Sequence, residues 1–167
     1  MTTNFPELLR VLSQGKVEFI VVGGAAAIAH GAATLTQDLD VVYNRIPENL
    51  DRIVSALAQS RPYLRGAPPG LPFDWSVATV RNGLNFTLIT SLGAIDILGE
   101  IAGGGNYANL LPHAATIELY GIECLCLKLD KLICTKRAAG RAKDLNAIAE
   151  LEALLEETAS AQASVIS

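Results

Sequence analysis

Asp38 and Asp40 form an acid-x-acid pair, and it follows the glycine pair Gly23-Gly24 by fourteen positions counted from Gly24. Asp38 and Asp40 open the apolar stretch Leu39-Asp40-Val41-Val42, which reads as a strand. Side chains at i and i+2 of a strand share a face, so the two carboxylates stand side by side. Like charges that close stay ionised when a divalent cation lies between them. Upstream, Phe19-Ile20-Val21-Val22 reads as a buried strand ending in the turn Gly23-Gly24, followed by a small-residue helix to His30. Backbone amides freed at a helix start suit phosphate oxygens. A phosphate cradle beside paired carboxylates is equipment for phosphoryl or nucleotidyl transfer.

A third acid, Asp96, lies inside Ala94-Ile95-Asp96-Ile97-Leu98. An ionised aspartate in an apolar strand is costly unless it is paired or ligates metal. Ile95 and Ile97 point away from it, which leaves Asp96 facing a site while its strand stays in the core. With Asp38 and Asp40 it completes a three-carboxylate set suited to two Mg2+ ions roughly 3.5–4 Å apart, or to Mn2+. Each acid taken alone reads more readily as a strand-end residue or turn cap. The three together, just downstream of strand-Gly-Gly-helix, carry the argument.

The elements that must hold these residues follow from periodicity. Phe5 to Ser13 has helical spacing with Leu8, Leu9 and Leu12 on one side. Strands are expected over 17–22, 39–43, 84–89, 94–98, 115–120 and 122–127. Pro47 to Ser60 reads as a helix with Pro47 in its first turn. Residues 61–72, rich in Pro and Gly, read as a loop, as do Gly103-Gly104-Gly105. A short helix is expected over 73–80 and a helical turn over 106–111. Two helices, 127–139 and 141–157, meet at Gly140. The expected whole is an α/β (α+β) domain over residues 1–157, a mixed sheet of about five strands flanked by helices. A fraying tail is expected over 158–167.

The chain has 167 residues, half of them hydrophobic, enough for one well-filled core. Nothing reads as a signal peptide or a membrane span, so a cytoplasmic protein without membrane association is expected. Cys124, Cys126 and Cys134 lack zinc spacing and read as buried free thiols. Net charge is −4, against general nucleic-acid coating. Yet Lys128, Lys131, Lys136, Arg137, Arg141 and Lys143 concentrate six of the thirteen cations in one segment. That local charge suits one polyphosphate or a short RNA contact. Lys136 reads equally as a phosphate contact and as a solvated helix lysine. Asp144 reads at least as readily as a cap or partner of Arg141 as a functional acid. His30, Phe73 and Trp75 read as packing residues.

In these motifs the chain resembles the polymerase-β-type nucleotidyltransferase superfamily: strand, Gly23-Gly24, helix, Asp38-x-Asp40, then Asp96. Within it the chain is similar to small bacterial nucleotidyltransferase-like proteins, including the AbiEii type of abortive-infection and toxin–antitoxin systems. The run Leu132 to Leu145 extends the resemblance, which covers roughly residues 15 to 155. It implies the nucleotidyltransferase fold and Mg2+-dependent transfer of a nucleoside monophosphate from a nucleoside triphosphate to a hydroxyl on RNA, protein or a small molecule. It implies catalytic and metal roles for Asp38, Asp40 and Asp96. It places Gly23, Gly24, Thr36, Lys136 and Asp144 at the nucleotide. It also implies a toxin or antitoxin partner, and a homodimer is compatible with the apolar last helix.

Two positions depart from the family pattern. Ala25 stands where a Ser or Thr hydroxyl usually meets phosphate, and Thr34 stands where relatives tend to carry Arg. Both support a second reading, a weak or inactive nucleotide-binding or antitoxin-like protein. A dinucleotide-binding oxidoreductase fails on spacing, because Gly23-Gly24-Ala25-Ala26-Ala27 is not G-x-G-x-x-G.

Overall fold

The computed structural model describes residues 2–166. Helix α1 (Phe5–Gln14) starts where the Asn4 side chain accepts a hydrogen bond from the Glu7 amide, and it buries Leu8, Leu9 and Leu12. Strand β1 (Phe19–Val22), buried at every position, runs into α2 (Gly23–Ala29). Strand β2 (Asp38–Tyr43) leads to α3 (Pro47–Leu57), which buries Leu50, Ile53 and Leu57. Then come β3 (Tyr63–Leu64), α4 (Val77–Asn82), β4 (Phe86–Thr90) and β5 (Gly93–Leu98). The short strands β6 (Glu100–Ile101) and β7 (Gly105–Asn106) precede α5 (Tyr107–Leu110). The hairpin β8 (Ala114–Leu119) and β9 (Ile122–Leu127) is followed by α6 (Leu129–Ala139) and α7 (Ala142–Ile166).

Seven strands form one mixed sheet in the order β3-β4-β5-β2-β1-β9-β8, and β6 pairs with β7 alone. β2 lies near the centre, antiparallel to β1 and parallel to β5. On one sheet face Leu39, Val41, Ile95 and Ile97 are all fully buried. Alternation then sends Asp38, Asp40 and Asp96 to the opposite face. The hydroxyl of the buried Tyr43 donates to the Leu84 carbonyl at 2.9 Å, which satisfies a polar atom that burial would otherwise penalise.

The departures from the expected elements have local causes. β3 lies within the stretch read as a loop, and β6 and β7 flank the glycine run, with Gly105 opening β7. Ladders of two residues carry no readable period. The short helix expected from 73 begins at Val77, because Ser76 caps it by accepting from the Thr79 amide. The last helix does not stop at Glu157 but continues to Ile166. That stretch carries Ala159, Ala161 and Ala163, and alanine is the best helix former. Of the expected tail, Ser167 lies outside the described residues. Cys124 and Cys126 are buried thiols as expected, whereas Cys134 is exposed on α6. Trp75 donates from its indole nitrogen to the Val54 carbonyl at 2.9 Å, and Phe73 meets Tyr63 edge-on, both packed against the core. No helix among the described residues is long and apolar enough to cross a membrane.

Candidate functional site

Sheet register brings the three acids together. Asp40 of β2 is the direct partner of Asp96 on β5, and of Val22 on β1. Asp38 sits two residues earlier on the same face of β2. One carboxylate oxygen from each of Asp38, Asp40 and Asp96 lies within 4.8 Å of the others. The glycine turn closes on this cluster. Gly23 has φ +63°, and a Cβ there would collide with Asp40 Oδ2. Gly24 lies against Thr36, where a Cβ would come within 2.7 Å of Oγ1. Thr36 in turn donates to the Asp38 carbonyl at 3.2 Å, so it buttresses the start of β2. The two glycines are therefore required by close approach, independently of any ligand.

Burial pushes the Asp40 carboxyl up to about 7, and the neighbouring charges of Asp96 and Asp38 push in the same direction. Its Oδ1 is buried without a hydrogen-bond partner, the one such side-chain atom found among the described residues. Native proteins satisfy nearly all buried polar atoms, so an unpartnered carboxylate oxygen among three acids has the chemistry of a cation ligand. The donor set is all hard oxygen, which suits Mg2+ or Mn2+. The residues present thus fit a divalent metal centre.

Arg65, just past the end of β3, reaches the same cluster. Its Nη2 donates to Asp96 Oδ1 at 2.7 Å and lies 3.7 Å from Asp38 Oδ2. Its Nη1 donates to the Leu88 carbonyl at 3.1 Å.

On the other side, Asp40 and Gly23 line a cavity of about 260 Å3 whose far wall is the α6–α7 junction, with Lys136, Arg141 and Asp144. Asp144 is 2% exposed and accepts from Arg141 Nε at 2.6 Å; Lys136 Nζ lies 3.8 Å from it. Burial acts to raise the Asp144 carboxyl, but the Arg141 hydrogen bonds and the Lys136 charge outweigh it and hold it below its usual value. Burial lowers the Lys136 ammonium against the pull of Asp144. The arrangement leaves two cations facing the cavity, anchored by one buried acid. Leu98, Ile101 and Ala102 supply an apolar wall, with Asn85 and Glu100 at its edge.

Of the residues singled out from sequence, Gly23, Asp40, Lys136 and Asp144 share this cavity. Asp38 and Asp96 join Asp40 in the acid cluster, and Gly24 and Thr36 pack together behind it. His30 bonds the Leu127 carbonyl at 2.8 Å and takes no part. Sequence reasoning missed Arg65, Asn85 and Glu100. Arg65 lies in a Pro/Gly-rich stretch with no motif around it, and only the pairing of β3 with β4 places it near Asp96.

No protein-family model matches the chain, and no curated protein matches it in sequence. Solved structures match it in fold. The lincosamide antibiotic adenylyltransferase LnuA, bound to lincomycin, aligns over 92% of this chain and 99% of its own, with TM-score 0.61 and 14% identity. A protein of Thermotoga maritima described as a candidate nucleotidyltransferase aligns over 93% of this chain and 97% of its own, with TM-score 0.50 and 18% identity. At these identities the likeness is one of fold: the chain has a nucleotidyltransferase fold.

Proposed function

We propose that the protein is a divalent-metal-dependent nucleotidyltransferase that moves a nucleoside monophosphate from a nucleoside triphosphate to a hydroxyl acceptor. The observation that carries this reading is the acid cluster with its orphaned Asp40 oxygen, set directly against the Gly23 turn. Asp38, Asp40 and Asp96 would hold the metal, which when bound neutralises charge on the phosphates and activates the acceptor oxygen.

The chain's own groups account for the rest. Gly23 and Gly24 let the β1–α2 backbone come close to the triphosphate, and Lys136 with Arg141 offset its charge from across the cavity. The acceptor oxygen forms a bond to the α-phosphorus while the bond to pyrophosphate breaks. Asp96 takes the hydroxyl proton, and pyrophosphate leaves toward the cations of α6 and α7. Thr36 holds β2 so that Asp38 and Asp40 face this reaction.

The acceptor class is proposed as a small molecule first, because LnuA, which shares the fold, is a lincosamide adenylyltransferase. In the toxin–antitoxin or phage-defence setting that the resemblance implies, the acceptor is an RNA end or a partner's hydroxyl. The test is label transfer from each α-labelled nucleoside triphosphate, with Mg2+, into RNA, cell-extract protein and a panel of hydroxylated small molecules including lincosamides. Label that vanishes in an Asp38→Ala/Asp40→Ala double variant supports transfer and names the acceptor class.

A second reading, nucleotide binding with weak or no transfer, draws on Ala25. It is 3% exposed in the first turn of α2 and brings no hydroxyl to the phosphate side. Nucleotide binding by equilibrium dialysis without label in any pool would favour it.

A further inference from the structure

We propose that Arg65 is a positioning residue and internal counter-ion for the acid cluster: it holds Asp96 and the edge of Asp38 while no cation is bound, and a binding cation displaces it. This rests on the metal-site reading above. Among the described residues Arg65 is the one cation whose side chain pairs directly with any of the three acids. It engages Asp38 and Asp96 and leaves the buried Oδ1 of Asp40 without a hydrogen-bond partner.

The geometry makes this contact reversible. At 2.7 Å the guanidinium occupies a lone pair of Asp96 Oδ1. A divalent ion binding there must compete for that lone pair and also experiences the arginine's repulsion. The Arg65 backbone stays fixed, because its amide donates to the Thr87 carbonyl and extends the β3–β4 ladder. The side chain, about a third exposed, has solvent to move into. The next residues leave room for that movement. Gly66 (φ +83°) and Gly70 (φ +88°) have no neighbouring atoms within 4 Å of a would-be Cβ, so the segment after Arg65 stands clear of the body. Tyr63 ties its middle down by donating to the Pro68 carbonyl and accepting from the Leu71 amide.

Arg65 would thus stand in for the metal whenever no cation is bound. It offsets the mutual repulsion of Asp38 and Asp96 and keeps the Asp96 carboxylate aimed into the cluster.

The test uses the whole chain, with Mn2+ alone and no nucleotide. Mn2+ affinity is measured by electron paramagnetic resonance for the native protein, Arg65→Gln and Arg65→Lys. Arg65→Gln is expected to tighten Mn2+ binding roughly tenfold, the order for one charge removed at a few ångströms near a protein surface. Arg65→Lys, which keeps the charge and loses the planar fork, should lie between. A second readout separates this from a merely structural role. Arg65→Gln should lower the melting temperature of the metal-free protein, and saturating Mn2+ should abolish that deficit. Saturating Mn2+ should also speed tryptic cleavage of the native protein at the Arg65–Gly66 bond. Unchanged or weaker Mn2+ affinity in a folded Arg65→Gln protein overturns the proposal alone. Absence of Mn2+ binding by all three proteins overturns the metal-site reading with it. A melting deficit that persists in Mn2+ assigns Arg65 a fixed structural role and likewise overturns it.

Discussion

Asp40 and Asp96 face each other across the parallel β2–β5 pair, two carboxylates on neighbouring central strands with Asp40 Oδ1 buried and unpaired. The metal-free protein carries that cost whenever Asp40 is ionised. The folded carboxyl is raised from 3.8 to about 7, so the native state binds the proton more tightly than the unfolded chain. Linkage then gives the sign: metal-free stability is greatest near and below pH 4 for this group and declines as pH rises from about 4 to about 7. At 1.36 kcal/mol per pKa unit the full effect is about 4 kcal/mol at most. Thermal melts with chelator across this range should show the decline superposed on the titration of other groups. In Asp40→Asn this component should vanish, and the variant should melt above the native protein at pH 8.

Metal should reverse that trend. Binding needs the ionised carboxylates, so it releases protons, and Mg2+ or Mn2+ affinity should climb from pH 5 to about pH 8 and then level. Isothermal titration in two buffers of different ionisation enthalpy reads the proton count directly. Asp40→Asn should lose the metal-induced rise in melting temperature. A pH-independent affinity would remove Asp40 from the ligand set.

Gly23→Ala is expected to be more damaging than Gly24→Ala. The first places a Cβ against Asp40 Oδ2 and forces an L residue to φ +63°. The second meets the Thr36 side chain, which has a hydroxyl and methyl that can shift. We expect a loss of about 1–3 kcal/mol for Gly23→Ala by denaturant unfolding. Metal affinity should fall with it, because Asp40 must move. For Gly24→Ala, Thr36→Ser should recover part of the loss.

Much of this site was readable in the sequence because its parts are local. The strand-Gly-Gly-helix turn and the Asp38-x-Asp40 alternation depend on neighbours two or three residues away, and Asp96 announces itself as an acid inside an apolar strand. What stayed hidden depends on long-range pairing. Arg65 reaches Asp96 through β3 and β4, thirty-one positions away. Asn49 is another case: buried in α3, its side chain accepts from the Glu18 amide and donates to the Glu18 and Asn44 carbonyls. Nothing in the local pattern of α3 marks it. The count of strands differed for the same reason, since β3, β6 and β7 are too short to show a period.

Asp144→Asn should weaken nucleotide binding more than it weakens the fold. Asp144 holds Arg141 and Lys136 at the cavity wall, and its carboxyl lies below the usual value. A depressed folded pKa means its stabilising contribution is present above about pH 4 and lost as pH falls further. At pH 7.5 the amide keeps the volume but releases both cations. A nucleoside triphosphate should then bind roughly tenfold more weakly by equilibrium dialysis, with Mn2+ affinity unchanged. An equal loss for metal and nucleotide would mean that the substitution disturbs the whole domain.

Ala25→Ser decides how much the missing hydroxyl costs this chain. Ala25 is the third residue of α2 and is 3% exposed, so a serine hydroxyl there has little access to water. Without a ligand it is a buried polar group, and the nucleotide-free protein should lose about 1–2 kcal/mol. With a triphosphate against the Gly23-Gly24 turn, the hydroxyl gains a charged acceptor, and such bonds are worth about 1.5–3 kcal/mol. The substitution should therefore lower the melting temperature alone and tighten nucleotide binding at the same time. The two effects have opposite signs and one origin, which no general change in packing would produce. If transfer by the native protein is slow, Ala25→Ser should speed it while leaving acceptor preference as it was. A serine that destabilises both the free and the nucleotide-bound protein equally would place the phosphates away from this turn, and the role given to Gly23 and Gly24 would fall with it.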